Sequence, residues 1–388
     1  ADYKTYYPSD FLETGQDILY PWVSRMICIG LYVTGKIPFK DAYLHGMVRA
    51  EDGRKMSKSL GNVIDPTEVL NTYGADALRM GIIAGRSAGY SAAFAPGKVT
   101  AGRNFCNKLW NIARFAESAL GENYVYSKPV PKSAADHWVL NSAAVTISKV
   151  STLLDTYRFS EAYDTVYHFI WDDVADWYIE ASKADRNDSV LAYVLETCLK
   201  LAHPFAPFVT ETIWQTLAWK TNDLLITAAW PVPVKANANI AQNFSDVKTI
   251  VSEVRYITKA LEVKNPSLYF TNSSFLQQNA DIIARFAGLA RVAEVESGRG
   301  LHLTNTSYDC WLDIDLHTAK VYVTKLRVAQ EEKHATIERL QLRLDNKGYI
   351  DKAPKHVVQQ TKDQLSHEKE LLEKLAKELQ AFESLSQS

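Results

Sequence analysis

The residues in this sequence with the clearest capacity for chemistry are the five consecutive positions 55–59, Lys-Met-Ser-Lys-Ser. They supply two ammonium groups and two hydroxyls in a polar segment bounded by Gly53 and Gly61. Compact, mobile positive charge suits a triphosphate, because it can follow the phosphates as they separate during reaction. Lysine provides that charge as a point, whereas arginine would demand a fixed bidentate geometry. A solvated lysine–serine loop is the alternative interpretation, but the match of all five residues to one signature favours phosphate binding.

The segments on either side of this loop are predicted to be regular elements that position it. Before it, the apolar run 42–45 predicts a buried strand that ends at Gly46. After it, Asp65 is placed as a helix N-cap, with Pro66 at the first helical position and Glu68 set to close a capping box. The loop is therefore expected to join a strand end to a capped helix.

Other segments nearby show helical periodicity. Residues 17–31 carry apolar side chains at steps of three and four, which predicts a helix. The helix that begins at Pro66 is expected to stop near Gly74, and a second helix is expected from Ala75 to about Ala84. Residues 1–98 are thus predicted to be mixed α/β.

The rest of the chain divides by its pattern. Residues 99–230 show helical apolar stripes broken at Pro204 and Pro207, which predicts a helical bundle. Alternation between Tyr308 and Val323 predicts a small sheet. From residue 325, two long apolar stripes joined at a turn at 345–348 predict an antiparallel coiled-coil hairpin. The expected domains are 1–98, 99–232, 233–324 and 325–388.

Composition narrows the class of protein. Of 388 residues, 47% are hydrophobic and 23% charged, and the net charge of -2 gives no global basic excess. Nucleic-acid binding would therefore have to use local patches. The four cysteines lie far apart without a Cys-x-x-Cys pair, which excludes a zinc knuckle of paired thiols. We expect reduced cysteines in a cytoplasmic protein that binds no zinc. The sequence contains no apolar run long enough to predict a membrane span.

The loop 55–59 resembles the second signature of the class I aminoacyl-tRNA synthetases, and its flanks 44–48 and 60–66 are similar to the valyl members of that family. The isoleucyl relatives remain an alternative, although their C-terminal part usually carries paired cysteines, which this sequence lacks. The resemblance covers nearly the whole chain. Its further segments are 14–19, 22–26, 73–79, 104–111, 169–178, 203–208, 345–349 and 352–354.

The resemblance implies a multidomain α/β plus α fold. Its expected parts are the C-terminal half of a Rossmann-type nucleotide-binding fold with connector helices, a helical anticodon-binding bundle, a small α/β linking region and a coiled-coil tRNA-binding arm. The implied activity is the ATP-dependent activation of valine to valyl-adenylate and its transfer to tRNA(Val), with Mg²⁺ accompanying the ATP.

Roles for individual residues follow from the same resemblance. The residues expected to bind ATP are Gly15, Asp17, His45, Gly46, Val48, Lys55, Met56, Ser57, Lys58 and Ser59. Lys55 and Lys58 would carry catalysis by stabilising charge on the phosphates. Asp17 would accept hydrogen bonds from ribose hydroxyls, although a charge at a helix N-terminus is the alternative. Trp22 would wall the valine pocket and His45 would lie at the adenine, although either side chain could equally be part of a core.

A second group of residues is expected to contact tRNA. On the first bundle helix these are Arg103, Asn107, Lys108, Asn111, Arg114 and, nearby, Phe115. Positive charge with aromatic stacking is how unpaired RNA bases are recognised, whereas a solvated polar helix face is the alternative. On the arm, the candidates for the tRNA elbow are Arg327, Arg339, Arg343, Lys355 and Lys362. Trp171, Trp177 and Trp214 are expected in the core.

One motif that the family requires is missing from the sequence. Class I catalysis uses a His-x-Gly-His signature, which does not occur here, and there is no room for an editing domain. We therefore expect half a catalytic site, inactive without an N-terminal half that would be its partner. A tRNA-binding protein without chemistry is the alternative from a different functional class.

Overall fold

The computed structural model describes residues 2–217, 219, 223–303, 305–346 and 355–387. The chain forms two compact units, Ala1–Gln242 and Asn243–Ser388. Each unit is described separately below.

The first unit begins with helix α1 (Asp2–Tyr6) and a pair of parallel strands, β1 (Ser9–Gly15) and β2 (Phe39–His45). Helix α2 (Ser24–Thr34) provides the crossover that parallel pairing needs. The helix expected over 17–31 is divided in the structure, because a 3₁₀ turn and a π-helical turn precede α2. Pro21 lies in that π-helical turn and has no N–H to donate.

The prediction that residues 42–45 form a buried strand is half wrong. The strand is present, but none of its residues is buried. Several large apolar side chains of α2 are also exposed, among them Ile29, Tyr32 and Val33 at 61%, 91% and 71%. The physical reason is that two strands and one crossover helix are too few to cover both faces of a sheet.

The elements after the loop follow the sequence closely. A second parallel pair joins β3 (Val48–Arg49) to β4 (Ala92–Ala93), and between them lie helices α3 (Pro66–Tyr73) and α4 (Ala75–Ile83). Asp65 caps α3 as predicted, its Oδ1 accepting the N–H of Thr67 at 2.8 Å. Within the described residues, the Glu68 side chain accepts no hydrogen bond from the N–H of Asp65, so the predicted capping box does not form.

The remainder of the first unit is helical, as predicted. Its helices are α5 (Pro96–Leu120), α6 (Ala134–Asp155), α7 (Phe159–His168), α8 (Ile179–Ser182), α9 (Asp188–Ala202) and α10 (Pro207–Thr216). A ten-residue π-helical stretch, Phe169–Tyr178, connects α7 to α8. Trp177 and Trp214 are buried in the core as expected. Trp171 is only half-buried and stacks on Tyr167, with ring centres 5.6 Å apart.

Helix α11 (Ala238–Ala260) leads into the second unit, whose sheet has the strand order β6-β5-β8-β7. The strands are β5 (Ser267–Phe270), β6 (Arg291–Glu294), β7 (Leu301–His302) and β8 (Cys310–Leu312). Two short helices, α12 (Ser274–Gln278) and α13 (Ala280–Ala287), lie between β5 and β6.

The sheet predicted between Tyr308 and Val323 is correct only for the first part of that range, which contains β8. Helix α14 (Leu316–Asp345) already contains Val321 and Val323, and Asp315 caps it by accepting the N–H of His317 at 3.0 Å. The buried positions Ala319, Val323 and Leu326 recur at steps of four and three. That spacing is helical, and it becomes evident only when residues beyond Val323 are included in the pattern.

Helices α14 and α15 (Lys355–Gln387) pack along each other as an antiparallel pair. Ile337, Leu340 and Phe382 are buried in this unit, and Lys333 pairs with Glu368 at 2.7 Å. The predicted turn at 345–348 and the motif at 352–354 fall largely outside the described residues. Within the described part of the chain, no helix has the length and apolar character needed to cross a bilayer.

Candidate functional site

The carboxyl ends of β1 and β2 bring several predicted site residues together. Gly15 pairs directly with His45 in the parallel register. A Cβ added to Gly15 would lie 2.8 Å from Asp17 Oδ1, 3.2 Å from Met47 Sδ and 3.6 Å from His45 Cε1. Ligand sites of open α/β sheets lie at this edge. The sequence gives no signal for Met47, since only the pairing of the two strands reveals that it is near Gly15.

His45 lies at the edge of this site rather than in a core. Its side chain is 40% exposed, with Nε2 3.4 Å from Glu13 Oε1 and Nδ1 3.1 Å from the carbonyl oxygen of Gly46. The imidazole is therefore positioned by its own strand and by a carboxylate on the neighbouring strand. Trp22 is also outside the core, at 46% exposure.

Gly46 permits a close approach to its backbone, but the group that approaches in the structure is another segment of this chain, at Tyr90 and Ser91. A Cβ at Gly46 would overlap the carbonyl group of Tyr90 and crowd the amide nitrogen of Ser91. The segment is also fastened by hydrogen bonds, because Gly89 N–H donates to Leu44 O at 2.8 Å and Met47 N–H donates to Ser91 Oγ at 3.1 Å. Residues 89–91 therefore depend on the glycine to lie against the end of β2.

The loop 55–59 is held from inside by Asn62. The amide oxygen of Asn62 accepts the N–H of Ser57 at 2.9 Å, and its Nδ2 donates to the carbonyl of Lys55 at 3.2 Å. The hydroxyls of Ser57 and Ser59 lie 2.6 Å apart. An amide side chain can donate and accept at once, which suits it to this role. Sequence reasoning missed Asn62, whose one signal is its place beside the turn glycine Gly61.

The two lysine amines of the loop remain available. Lys55 and Lys58 are exposed, and neither takes part in an ion pair among the described residues. The neighbouring cation behaves differently: Arg54 bonds to Asp52 at 2.6 Å and lowers the pKa of that carboxyl group. The loop therefore presents two ammonium groups whose charge the surrounding side chains do not cancel.

Loss of the Asn62 clamp should loosen the loop. In Asn62→Ala, the N–H of Ser57 and the carbonyl of Lys55 lose their partners, each worth about 0.5–1.5 kcal/mol. We expect tryptic cleavage after Lys55 and Lys58 to become on the order of 10-fold faster, because the open loop is more populated. Asn111→Ala, at an exposed asparagine of α5, is the matched control and should leave the cleavage rate unchanged. Equal rates for Asn62→Ala and the wild type would contradict the clamp.

The candidate tRNA residues on α5 do not all share one environment. Arg103, Asn107, Asn111 and Arg114 are exposed. Lys108 instead turns toward the π-helical stretch, where its Nζ pairs with Asp176 at 2.9 Å and lies 5.1 Å from the ring centre of Trp171.

An aromatic residue that was not assigned to this face also lies on it. Trp110 is 39% exposed and recurs with Arg103, Asn107 and Arg114 at steps of three and four. That spacing could have identified it from the sequence. Phe115 is half-buried, with Lys183 Nζ 6.0 Å from its ring centre.

The basic residues of the arm also differ in their surroundings. Arg327 pairs with Glu383 at 2.6 Å, so part of its charge is compensated within the hairpin. Arg339, Arg343 and Lys362 have exposed side chains, and the side chain of Lys355 lies outside the described residues.

A cleft of about 480 Å³ lies between the strand ends and the helices of the first unit. Glu13, Tyr43 and His45 line one side, and Arg86 and Phe205 line the other. One guanidinium nitrogen of Arg86 is buried and has no hydrogen-bond partner among the residues that the structure describes, and burial lowers the pKa of this group.

Three protein-family models match the chain. They are tRNA synthetases class I (I, L, M and V) over residues 1–93, the anticodon-binding domain of tRNA ligase over 136–268, and the valyl tRNA synthetase tRNA binding arm over 323–383.

Curated relatives match over most of the chain. A valine–tRNA ligase of Geobacillus kaustophilus is 38% identical over 92% of this chain and 44% of that protein. One of Listeria innocua is 36% identical over 100% of this chain and 46% of that protein. The chain therefore spans less than half the length of these relatives.

A solved structure has a similar fold. The LeuRS of Agrobacterium radiobacter K84, in a ternary complex with tRNA and LeuAMS, matches with a TM-score of 0.51 and 22% identity. The match covers 68% of this chain and 31% of that one. At this identity the likeness bears on the fold alone, and it agrees with a multidomain α/β plus α architecture.

Proposed function

We propose that this chain, which is similar to valine–tRNA ligases over most of its length, supplies the second-signature loop and the tRNA-binding parts of such a class I aminoacyl-tRNA synthetase. In that reaction the carboxylate of valine attacks the α-phosphate of ATP, giving valyl-adenylate and pyrophosphate. A terminal ribose hydroxyl of tRNA(Val) then attacks the adenylate carbonyl and releases AMP.

The observation that carries this proposal is the state of the 55–59 loop. Two exposed ammonium groups, uncompensated by ion pairs among the described residues, are held on a loop clamped at Asn62. The leaving pyrophosphate gains negative charge as the bond to the α-phosphate breaks. Lys55 and Lys58 are proposed to stabilise that charge, and Met56, Ser57 and Ser59 to shape the loop. Mg²⁺ accompanies ATP and neutralises phosphate charge.

The strand-end residues are proposed to hold the rest of the substrate. Asp17, which lies beside Gly15 and His45, would accept hydrogen bonds from the ribose hydroxyls of ATP. His45, Gly46 and Val48 would lie at the adenine. Trp22, whose ring is partly exposed, would form a wall of the valine pocket.

The parts of the chain are proposed to divide the work by domain. Residues 1–98 would be the C-terminal half of a Rossmann-type catalytic domain with its connector helices, and 99–232 the anticodon-binding bundle. Residues 233–324 would be a linking region and 325–388 a tRNA-binding arm. The exposed apolar side chains of α2 support an N-terminal half as the partner of the first part. We place the protein in the cytoplasm, where aminoacyl-tRNA is used.

On the bundle, the exposed face of α5 is the proposed tRNA contact. Arg103 and Arg114 supply charge, Asn107 and Asn111 supply amide groups, and Trp110 adds a stacking surface. Lys108 is proposed to act less directly than its neighbours, because its charge is shared with Asp176. On the arm, Arg339 and Arg343 are the proposed contacts.

Valine-dependent exchange of pyrophosphate into ATP tests whether the chain is half of an enzyme. We expect no exchange with this chain alone, because the His-x-Gly-His signature is missing from its sequence. Adding the N-terminal portion of the Geobacillus kaustophilus relative that precedes the matched region should restore exchange. Binding of tRNA(Val) without any exchange in the mixture would favour the non-catalytic tRNA-binding alternative, and isoleucine-dependent exchange would favour the isoleucyl one.

A further inference from the structure

The four-stranded sheet of the second unit has one face that the proposed function does not use. Its inner face is apolar and buried, with Leu268, Phe270 and Leu312 almost fully inaccessible. The opposite face carries aromatic side chains in register: Tyr269 pairs with Trp311 across β5 and β8, and Trp311 pairs with His302 across β8 and β7. Since side chains alternate along a strand, these three rings form a row across the sheet. This row is called the aromatic face below.

Two arginines converge on the aromatic face. Arg291 and Arg299 each donate a hydrogen bond to the Tyr269 phenol oxygen, at 3.1 and 2.9 Å, and these bonds lower the pKa of Tyr269. The guanidinium of Arg299 lies 4.5 Å from the Tyr269 ring centre and that of Arg291 lies 5.5 Å from it. The phenol in turn donates to Asp313 at 3.0 Å. One phenol oxygen therefore holds two cations close together.

The backbone around Arg299 is shaped to hold it there. A Cβ at Gly298 would overlap the ring of Trp311, and a Cβ at Gly300 would overlap the carbonyl of Leu312. Gly300 also has a φ of +96°, a conformation that L side chains rarely adopt. With a glycine on each side, the chain lies directly on strand β8, and Arg299 is carried onto the aromatic face.

The charge of this pair is only partly compensated. Arg291 and Arg299 are exposed, and in the described part of the chain neither makes an ion pair with a carboxylate. Asp313 is engaged with the phenol, and Asp309 lies 3.7 Å from His302. Each guanidinium has five N–H donors, and within the described residues it uses one of them on Tyr269, so donors remain for an incoming anion.

We propose that Arg291 and Arg299 bind a backbone phosphate of RNA, and that the partly exposed rings of Trp311 and His302 accept the adjoining base. Guanidinium groups match the oxygens of a phosphate, and aromatic rings on a sheet face stack unpaired bases. The proposal rests on the proposed function in taking tRNA(Val) as the RNA. It gives residues 267–313 a binding role that is separate from those of the bundle and the arm.

The salt dependence of tRNA(Val) binding by the full chain tests this site. Each phosphate contact contributes about 0.7–0.9 to the slope of log K against log salt concentration, so Arg291→Gln with Arg299→Gln, which removes one phosphate contact, should reduce that slope by about 0.7–0.9. Affinity at moderate salt should fall on the order of 10-fold. Lys264→Gln is the control, since it removes one charge from an exposed position in the same unit.

Additional variants distinguish a failure of the RNA site from a failure of the proposed function. Arg103→Gln with Arg114→Gln on α5 should also weaken binding; if it does while the Arg291/Arg299 variant binds like the wild type, the RNA site is refuted and the proposed function stands. If neither variant weakens binding, the proposed function fails as well.

Inorganic phosphate provides a second test. If it raises the melting temperature of the wild type but not of the double variant, and tRNA affinity is unchanged in that variant, the arginine pair binds free phosphate and the RNA proposal is wrong. The variant Arg299→Lys keeps the charge and should retain most of the slope. If it loses as much affinity as the double variant and unfolds at a lower temperature, the role of Arg299 is structural and the proposal is wrong.

Discussion

Replacing Lys58 with alanine, in this chain joined to the N-terminal portion of the Geobacillus kaustophilus relative, is expected to slow valine-dependent pyrophosphate exchange by about 10²- to 10³-fold. That range is the usual cost of removing one group that stabilises developing charge in a closed site. The Lys58 amine forms no ion pair with any described residue, so its loss removes charge that the neighbouring side chains cannot replace. Arg54 cannot substitute, because it is held by Asp52.

The same substitution should leave tRNA affinity nearly unchanged, because the proposed tRNA contacts lie on other elements. Lys36→Ala is the matched control, since it removes an exposed lysine from the turn after α2. It should alter neither exchange nor tRNA binding. Equal losses of exchange and of tRNA affinity in Lys58→Ala would contradict the assignment of this lysine to pyrophosphate.

Features set by local chemistry could be predicted from the sequence. Asp65 followed by Pro66 specified where α3 begins, and Gly74 specified where it ends, because capping depends on neighbouring residues alone. The stripes of the bundle were equally readable, since each helix repeats its apolar spacing over several turns. The 55–59 loop was found because five residue types stand in one order.

What could not be predicted depends on contacts between distant parts of the chain. Lys108 was grouped with Arg103 and Arg114, yet its partner Asp176 lies 68 positions away and turns it from the shared face. Met47 joins Gly15 only because two parallel strands end together. Asn62 acts through its side chain on the backbone of residues 55 and 57, which no residue pattern announces. The arginine pair on Tyr269 combines three separate segments and had no sequence signal at all.

Gly46→Ala is expected to damage both the stability of the first unit and the nucleotide site. The added methyl group would overlap the backbone of Tyr90 and Ser91, which cannot swing aside as a flexible side chain would. Overpacking of this kind costs about 1–3 kcal/mol or more, which corresponds to a fall in melting temperature of roughly 3–10 °C for a unit of this size. Hydrogen exchange should rise at the amide of Gly89, whose bond to Leu44 O breaks if residues 89–91 move away.

Gly97→Ala provides the contrast that makes this result specific. Gly97 lies in the first turn of α5, and a Cβ there would meet no atom within 4 Å. Alanine is the better helix former by up to about 1 kcal/mol, so this variant should be as stable as the wild type or slightly more so. In the joined enzyme, Gly46→Ala should also lose pyrophosphate exchange while Gly97→Ala keeps it, because residues 89–91 pack on the strand that ends at His45. If Gly46→Ala has the same melting temperature as Gly97→Ala and catalyses pyrophosphate exchange at the wild-type rate, the contact between Gly46 and Tyr90 does not shape the site.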